Sequence, residues 1–192
     1  MDSKTIRLAS PMQEDSFVDG PGVRMVIWTQ GCRHHCPNCH NPQTWDTEGG
    51  TLYSVEQLQQ QIRDAQLQSG LTLSGGEPFL QVEPLLEIVR TAKEKQLNIW
   101  AYSGFTYEEL LADERKKRLL VQLDVLVDGK FVNELKDYRL VFKGSRNQRI
   151  IDVQKSLQSG SVIRSEKDEQ NQKLKEEDMS NAGPYPFFYL FL

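Results

Sequence analysis

The chain has 192 residues, of which 38% are hydrophobic and 26% charged, and its formal net charge is −4. This length suits one domain with its own core, and the acidic balance argues against non-specific binding to nucleic acid, which needs a basic surface. The chain opens without a basic stretch and apolar run, and it has no segment of about 18 apolar residues, so we predict a cytoplasmic protein without signal peptide or membrane helix.

Strands and helices alternate along most of the chain. We predict strands at 23–30, 71–73, 97–102, 123–127 and 138–142, and helices at 55–65, 82–96, 106–120 and 151–157. Capping-box patterns at Ser54 with Gln57 and at Thr106 with Glu109 mark two helix starts. The alternation predicts right-handed βαβ units, and therefore an α/β fold with a mostly parallel sheet. In such sheets ligands bind at the carboxyl ends of the strands.

All three cysteines and all three histidines lie in nine consecutive positions after the first predicted strand. Cys32, Cys36 and Cys39 follow the spacing C-x3-C-x2-C, and an odd, clustered set of thiols does not suit a disulfide framework. Three thiolates could hold three irons of a [4Fe-4S] cluster and leave the fourth iron open to a small molecule. Two alternatives remain open. One is a zinc site completed by a histidine such as His40, and the other is a redox pair of Cys36 and Cys39.

A double glycine, Gly75 and Gly76, ends the second predicted strand of the alternating pattern. Glycine lets a ligand approach the backbone closely, so the strand edge could bind an amino-acid group, with Glu77 as partner for its ammonium. An ordinary turn with Glu77 near the start of the next helix is the alternative. Ser103, Asp128 and Lys143, each followed by glycine, end later strands and are expected at the same edge.

The cysteine loop and the "GGE" sequence together resemble the radical S-adenosylmethionine superfamily over roughly residues 15–157. The resemblance implies an incomplete (β/α) barrel with a [4Fe-4S] cluster on the three cysteines. It also implies that S-adenosylmethionine chelates the open iron and is cleaved by one electron to methionine and a 5′-deoxyadenosyl radical. Many members carry an aromatic residue at the position of Asn38, so here we expect polar or backbone contacts to adenine. The implied cofactor-binding residues are Asn38, Cys39, His40, Gly75, Gly76, Glu77, Ser103 and Asp128.

The stretches "DGPGVR" (19–24) and "CHNPQTWD" (39–46) are similar to glycyl-radical-enzyme activating enzymes. The short core and "KGSRNQR" (143–149) favour the activator of anaerobic ribonucleoside-triphosphate reductase over the larger pyruvate formate-lyase activator. This resemblance implies that the radical takes a hydrogen atom from one glycine of the reductase large subunit. It also implies a flavodoxin-like electron donor. The alternative from another class is a small zinc-binding interaction module.

Several residues outside the two motifs receive weaker predictions. An aspartate placed like Asp128 helps to hold a cation in the related lyase activator. We predict exposed loop positions for His34 and His35, and a core position for Trp45. The reductase loop is expected to enter over a rim formed by four residues of the last predicted turn, although a solvated turn and helix cap would also explain them. These are Lys143, Ser145, Asn147 and Arg149.

The composition changes near residue 159. We predict a radical S-adenosylmethionine domain at 1–158 and a tail at 159–192, first charged ("SEKDEQNQKLKEED") and then aromatic ("GPYPFFYLFL"). The charged part is typical of a solvated helix or disorder. The aromatic part is too short to span a membrane and could dock on the core or on a partner.

Overall fold

The computed structural model describes residues 4–169 and 171 of the chain. Within them, eight strands form one sheet. The strands are β1 (Thr5–Leu8), β2 (Gln13–Ser16), β3 (Arg24–Thr29), β4 (Thr51–Ser54), β5 (Gly70–Gly75), β6 (Asn98–Tyr102), β7 (Val125–Asp128) and β8 (Arg149–Asp152). Their order is β4-β1-β3-β5-β6-β7-β8, with β2 beside β3.

The sheet is mixed, so the prediction of a mostly parallel sheet is wrong. Strands β3, β5, β6 and β7 run parallel, as the βαβ pattern predicts. Strands β1 and β2 each pair antiparallel with β3, and β4 pairs antiparallel with β1. At the other end of the sheet, β8 pairs antiparallel with β7. No α-helix of the described chain separates β7 from β8, and without a helical crossover the chain returns antiparallel.

Five helices accompany the sheet in the described residues: α1 (Val55–Asp64), α2 (Val82–Glu94), α3 (Tyr107–Ala112), α4 (Glu114–Leu120) and α5 (Val153–Ser159). The predicted helix at 106–120 is two helices, because Asp113 adopts an extended conformation and its carboxylate caps α4. The capping box of Thr106 with Glu109 is confirmed. The prediction of a capping box at Ser54 with Gln57 is wrong, since the Ser54 side chain makes no capping hydrogen bond.

The predicted strand at 138–142 is also wrong. Its residues form turns, with Tyr138 89% exposed and Val141 45% exposed, although Leu140 and Phe142 face a cavity described below. The last strand is β8, seven residues further on. None of the described helices is both long and apolar enough to cross a membrane.

The two faces of the sheet carry different cores. Alternate residues of the parallel strands, such as Leu73, Ile99 and Ala101, belong to the large core that also contains buried residues of α1, α2 and α4. Trp100 points to the opposite face, where it forms a second, small core with Val127 and Ile150. The partly buried side chains of Phe142 and Tyr102 pack against that small core. Both also line a cavity, which therefore lies on this face of the sheet.

A buried arginine fixes the "DGPGVR" turn against the sheet. The Arg24 guanidinium, 1% exposed, donates to Thr72 Oγ1 at 2.7 Å and to the carbonyl oxygens of Leu71 and Asn98 at 2.9 and 2.8 Å. Burial lowers the pKa of Arg24 to about 10. Thr72 in turn donates to the Asp19 carbonyl oxygen at 2.8 Å, and Asp19 lines the cavity. The turn therefore belongs to the wall of the site.

Candidate functional site

A cavity of about 470 Å³ lies on the small-core face of the sheet. This volume is within the range of about 300–1,000 Å³ that is usual for small-molecule sites. The cavity brings together most of the residues that the sequence pointed to at the carboxyl ends of the strands. Its lining includes Cys32, Cys36, Cys39, His40, Gly75, Gly76, Ser103 and Lys143, but not Asn38, Glu77 or Asp128.

The cysteine loop leaves β3 and is tied back to the chain that follows it. The Gly31 amide donates to the Thr44 carbonyl at 2.8 Å, and the Cys32 amide donates to the Trp45 carbonyl at 3.1 Å. Cys32 is buried, whereas Cys36 and Cys39 are half-buried, and none of the three forms a disulfide. Burial raises the pKa of the Cys32 and Cys36 thiols. A bound metal reverses this effect, because coordination deprotonates a thiol outright.

The donor set suits a cluster with three protein ligands. In a [4Fe-4S] cluster each cysteine binds a different iron, so the sulfurs need to face one cavity rather than meet at one point. Cys32, Cys36 and Cys39 all face this cavity. Among residues 4–169 and 171, no three His, Cys, Asp or Glu side chains are grouped closely enough for a single metal ion.

The double glycine packs the end of β5 against the start of the cysteine loop. The Gly76 amide donates to the Thr29 carbonyl and the Glu77 amide donates to the Gly31 carbonyl, each at 2.8 Å. Gly75 has φ +97°, and a Cβ there would lie 2.5 Å from the Thr29 nitrogen. A Cβ on Gly76 would collide with the Gly31 carbonyl oxygen. The backbones of the two motifs touch only because both residues lack a side chain.

Replacing Gly76 with alanine is expected to destabilise the fold by about 2–3 kcal/mol, because the new methyl group meets backbone atoms that cannot rotate away. Gly160→Ala is the matched control. Gly160 has φ +70° but open space around it, so alanine there costs only about 1 kcal/mol of backbone strain. Urea unfolding measures both, and equal losses would contradict the collision at Gly76.

Glu77 is buried and binds donors from three segments of the chain. Its carboxylate lies 2.9 Å from His34 Nε2 and accepts from the Gly104 amide at 2.9 Å, the Ser103 hydroxyl at 3.0 Å and the Phe79 amide at 3.1 Å. These contacts join the cysteine loop to the ends of β5 and β6. The predicted contact of Glu77 with a substrate ammonium stays a prediction, and would require a ligand group to reach an already engaged carboxylate.

The three histidines occupy different environments. The prediction that His34 is exposed is wrong, because its side chain is 9% exposed and meets Phe105 edge-on at 4.5 Å. His35 is exposed as predicted and stacks on Trp45 with 4.7 Å between the rings. Trp45 is half-buried, so it does not lie in the core. His40 lines the cavity, with its ring centroid 5.1 Å from that of Phe131.

Besides Glu77, two further predicted cofactor-binding residues, Asn38 and Asp128, lie outside the cavity lining. Asn38 is exposed and has φ +55°, a left-handed conformation that asparagine tolerates in tight turns. Asp128 is 1% exposed, accepts from Arg149 Nε at 2.9 Å and caps α3 by accepting from the Tyr107 amide at 2.7 Å. A cation role for Asp128 stays a prediction, and it would compete with this ion pair.

The four residues of the predicted rim lie in different environments, and their role at the rim stays a prediction: Asn147 is exposed and Arg149 is half-buried. Lys143 and Ser145 are buried, and only Lys143 of the four lines the cavity. Asn147 donates to the Lys130 carbonyl at 2.8 Å. Arg149 bridges Asp128 to Glu108, with 2.7 Å between Arg149 Nη2 and Glu108 Oε2, and it lowers the pKa of Glu108.

Aromatic side chains of the cavity were missed by the sequence analysis. Trp28 and Tyr102 reach it from β3 and β6, and burial raises the pKa of Tyr102. Phe131 and Phe142 reach it from the irregular segment between β7 and β8. Strand alternation could have indicated the first two. The irregular segment has no periodicity that could have indicated the others.

Comparisons with known proteins show which family the chain resembles. A family profile described as a 4Fe-4S single cluster domain matches residues 18–151. Anaerobic ribonucleoside-triphosphate reductase-activating proteins of Haemophilus influenzae and Vibrio cholerae are each 38% identical over 141 residues, covering 69% of this chain and 90% of theirs. The protein of that name from Escherichia coli is 34% identical over 140 residues, with the same coverage.

Among solved structures, QueE from Escherichia coli aligns over 53% of each chain with a TM-score of 0.41 and 18% identity. The family follows from the sequence relatives, which are matched over nearly their whole length. The chain belongs to the anaerobic ribonucleoside-triphosphate reductase-activating proteins and contains their 4Fe-4S single cluster domain.

Proposed function

We propose that this chain activates an anaerobic ribonucleoside-triphosphate reductase by generating a glycyl radical in its large subunit. One observation carries the proposal: three free thiols and a double glycine line the same cavity, in a chain whose relatives are named as activators of that reductase. The pyruvate formate-lyase activator and the zinc module have no comparable support.

Cys32, Cys36 and Cys39 would hold the cluster, and S-adenosylmethionine would occupy the cavity between the cysteine loop and the double glycine. When bound, the cluster would supply the one electron that cleaves S-adenosylmethionine to methionine and a 5′-deoxyadenosyl radical. A flavodoxin-like donor would reduce the cluster. Gly75 and Gly76 line the cavity, and we propose that their backbone contacts the amino-acid group of the ligand. His40 and Ser103 are the polar side chains proposed to orient it, with Asn38, Glu77 and Asp128 as further candidates.

The chain itself holds the parts of the site in fixed positions. The Glu77 carboxylate links His34, Ser103 and Gly104, so the cysteine loop keeps its position relative to β5 and β6. The rings of Trp28 and Phe131 form part of the cavity lining, and we propose that they exclude water from reactive intermediates once the ligands fill the cavity.

The glycine of the partner must reach the cavity as part of an extended loop, because its backbone carbon is the reacting atom. We propose that the sheet is an incomplete (β/α) barrel whose gap admits that loop. We also propose that the protein acts in the cytoplasm, where reducing conditions keep free thiols such as these three from forming disulfides.

Anaerobic reconstitution with iron and sulfide, followed by electron paramagnetic resonance spectroscopy, tests the function. The reduced-cluster signal is expected to change when S-adenosylmethionine is added. A glycyl radical signal and 5′-deoxyadenosine should then appear when the reductase is present. Pyruvate formate-lyase in place of the reductase is the matched control and should give no radical. A protein that holds zinc and leaves S-adenosylmethionine intact would overturn the proposal.

A further inference from the structure

The segment after α5 returns to the cavity. Residues 163–165 run along the outer edge of β8, where the Asp152 amide donates to the Ile163 carbonyl at 2.9 Å and the Ser165 amide donates to the Ile150 carbonyl at 2.8 Å. A helical turn at 166–169 follows. This part of the chain lies beyond residue 151, where the match to the family profile ends.

The returning segment holds Lys143, which lines the cavity, and Val141, which precedes the lining residue Phe142. The Asp168 carboxylate, fully buried, forms an ion pair with Lys143, whose ammonium also donates to the Gln148 carbonyl at 3.0 Å. The Asn171 side chain accepts from the Val141 amide at 2.8 Å and donates to the Val141 carbonyl at 3.0 Å. Val141 and Lys143 are therefore both held by the segment that follows α5.

Phe142, the residue between them, is held in an unfavourable backbone conformation. Its φ is +61°, a value that is costly for a bulky side chain. Its ring meets Trp100 edge-on at 5.6 Å and forms part of the cavity lining. Such a conformation persists only where the surrounding contacts enforce it. The residues on either side of Phe142 are the ones that Asn171 and Asp168 hold.

We propose that residues 163–169 and Asn171 form a clamp that positions Phe142 as a wall of the cofactor cavity. Asp168 and Asn171 are then positioning residues for S-adenosylmethionine, and this role rests on the proposed function. Without the clamp, Phe142 can relax to negative φ, which moves its ring away from Trp100 and widens the cavity. The functional unit accordingly extends past the predicted domain boundary at residue 158.

Two variants, Asn171→Ala and Asp168→Asn, test the clamp, with Glu169→Gln as matched control. Glu169 lies on the same helical turn but is exposed, so its variant removes a charge without touching the wall. Hydrogen exchange of the peptide 139–144 is expected to accelerate by about tenfold or more in the two clamp variants. Asn171→Ala removes the acceptor of the Val141 amide, and Asp168→Asn weakens the ion pair that holds Lys143 in the same peptide. Affinity for S-adenosylmethionine should fall by about tenfold, with iron content unchanged.

The two readouts separate the possible failures. Unchanged exchange in Asn171→Ala would overturn the clamp, whether or not the protein binds S-adenosylmethionine. Faster exchange with unchanged affinity would overturn the positioning role and leave a purely structural contact. If the unsubstituted protein fails to bind S-adenosylmethionine, the proposed function and the positioning role are both wrong. Hydrogen exchange still decides in that case whether the clamp exists. Should Asp168→Asn not fold, Asn171→Ala alone decides, since it removes no buried charge.

Discussion

Replacing Cys36 with serine is expected to reduce reductase activation by at least about 100-fold, because even residues that only support metal ligands typically cost about 10–100-fold when replaced. Its thiol is one of three that face the cavity, and a serine hydroxyl is a poor ligand for iron in a cluster. Iron content and visible absorbance after anaerobic reconstitution measure the loss of the cluster. The glycyl radical yield on the reductase measures the loss of activation.

A control in the same loop distinguishes ligand loss from loop damage. His35→Asn changes an exposed residue with φ +48°, and asparagine tolerates that conformation. This variant should keep its iron and most of its activity. If Cys36→Ser instead retains full iron content and activity while His35→Asn loses both, the loop acts through its shape and the cysteine assignment is wrong.

Replacing Glu77 with alanine should cost about 3–5 kcal/mol of folding free energy, the second large effect that we expect. Removal of the carboxylate leaves His34, the Ser103 hydroxyl and the amides of Phe79 and Gly104 without their acceptor in a buried position. Each unsatisfied buried donor carries its own desolvation cost. The midpoint of urea unfolding gives the size of the effect.

Glu87→Ala provides the comparison for this loss. Glu87 lies on α2 with its side chain 36% exposed and paired with Arg90 on the same helix, so its removal should change stability by about 0.5 kcal/mol or less. Similar unfolding midpoints for the two alanine variants would show that the Glu77 network adds little to stability. A stable Glu77→Ala protein that no longer binds S-adenosylmethionine would instead favour direct contact of Glu77 with the ligand.

The parallel part of the fold was predictable because its signals are local. Runs such as 97–102 are apolar and rich in β-branched or aromatic residues, and the helices between the strands repeat their apolar residues with helical spacing. Strands β1, β2 and β4 have only four residues each, so their signals are weak. Only β1 alternates polar and apolar residues, with Ile6 and Leu8 buried, and so short a run was easily overlooked. The apolar run at 138–142 misled because its side chains line a cavity or face solvent instead of pairing in a sheet.

The site, like the fold, was predictable where its residues are close together in the sequence. The spacing of the cysteines and the pair Gly75-Gly76 are properties of consecutive residues, and the structure brings both to one cavity. The hydrogen bonds of Glu77 connect residues 26 and 43 positions apart, and the contacts of Asn171 with Val141 span 30 positions. No short sequence window contains both partners, so these interactions become visible only when the chain is folded.

The outer edges of the sheet bear on how the protein behaves at high concentration. Unpaired strand edges are templates for intermolecular pairing and hence for aggregation. At one end of the strand order, residues 163–165 hydrogen bond to β8 and occupy its free edge. At the other end β4 is only four residues long, which limits the length of any added strand. Both features limit edge-to-edge pairing between copies of the protein, and deletion of residues 160–169 is expected to expose the free edge of β8 and to promote aggregation.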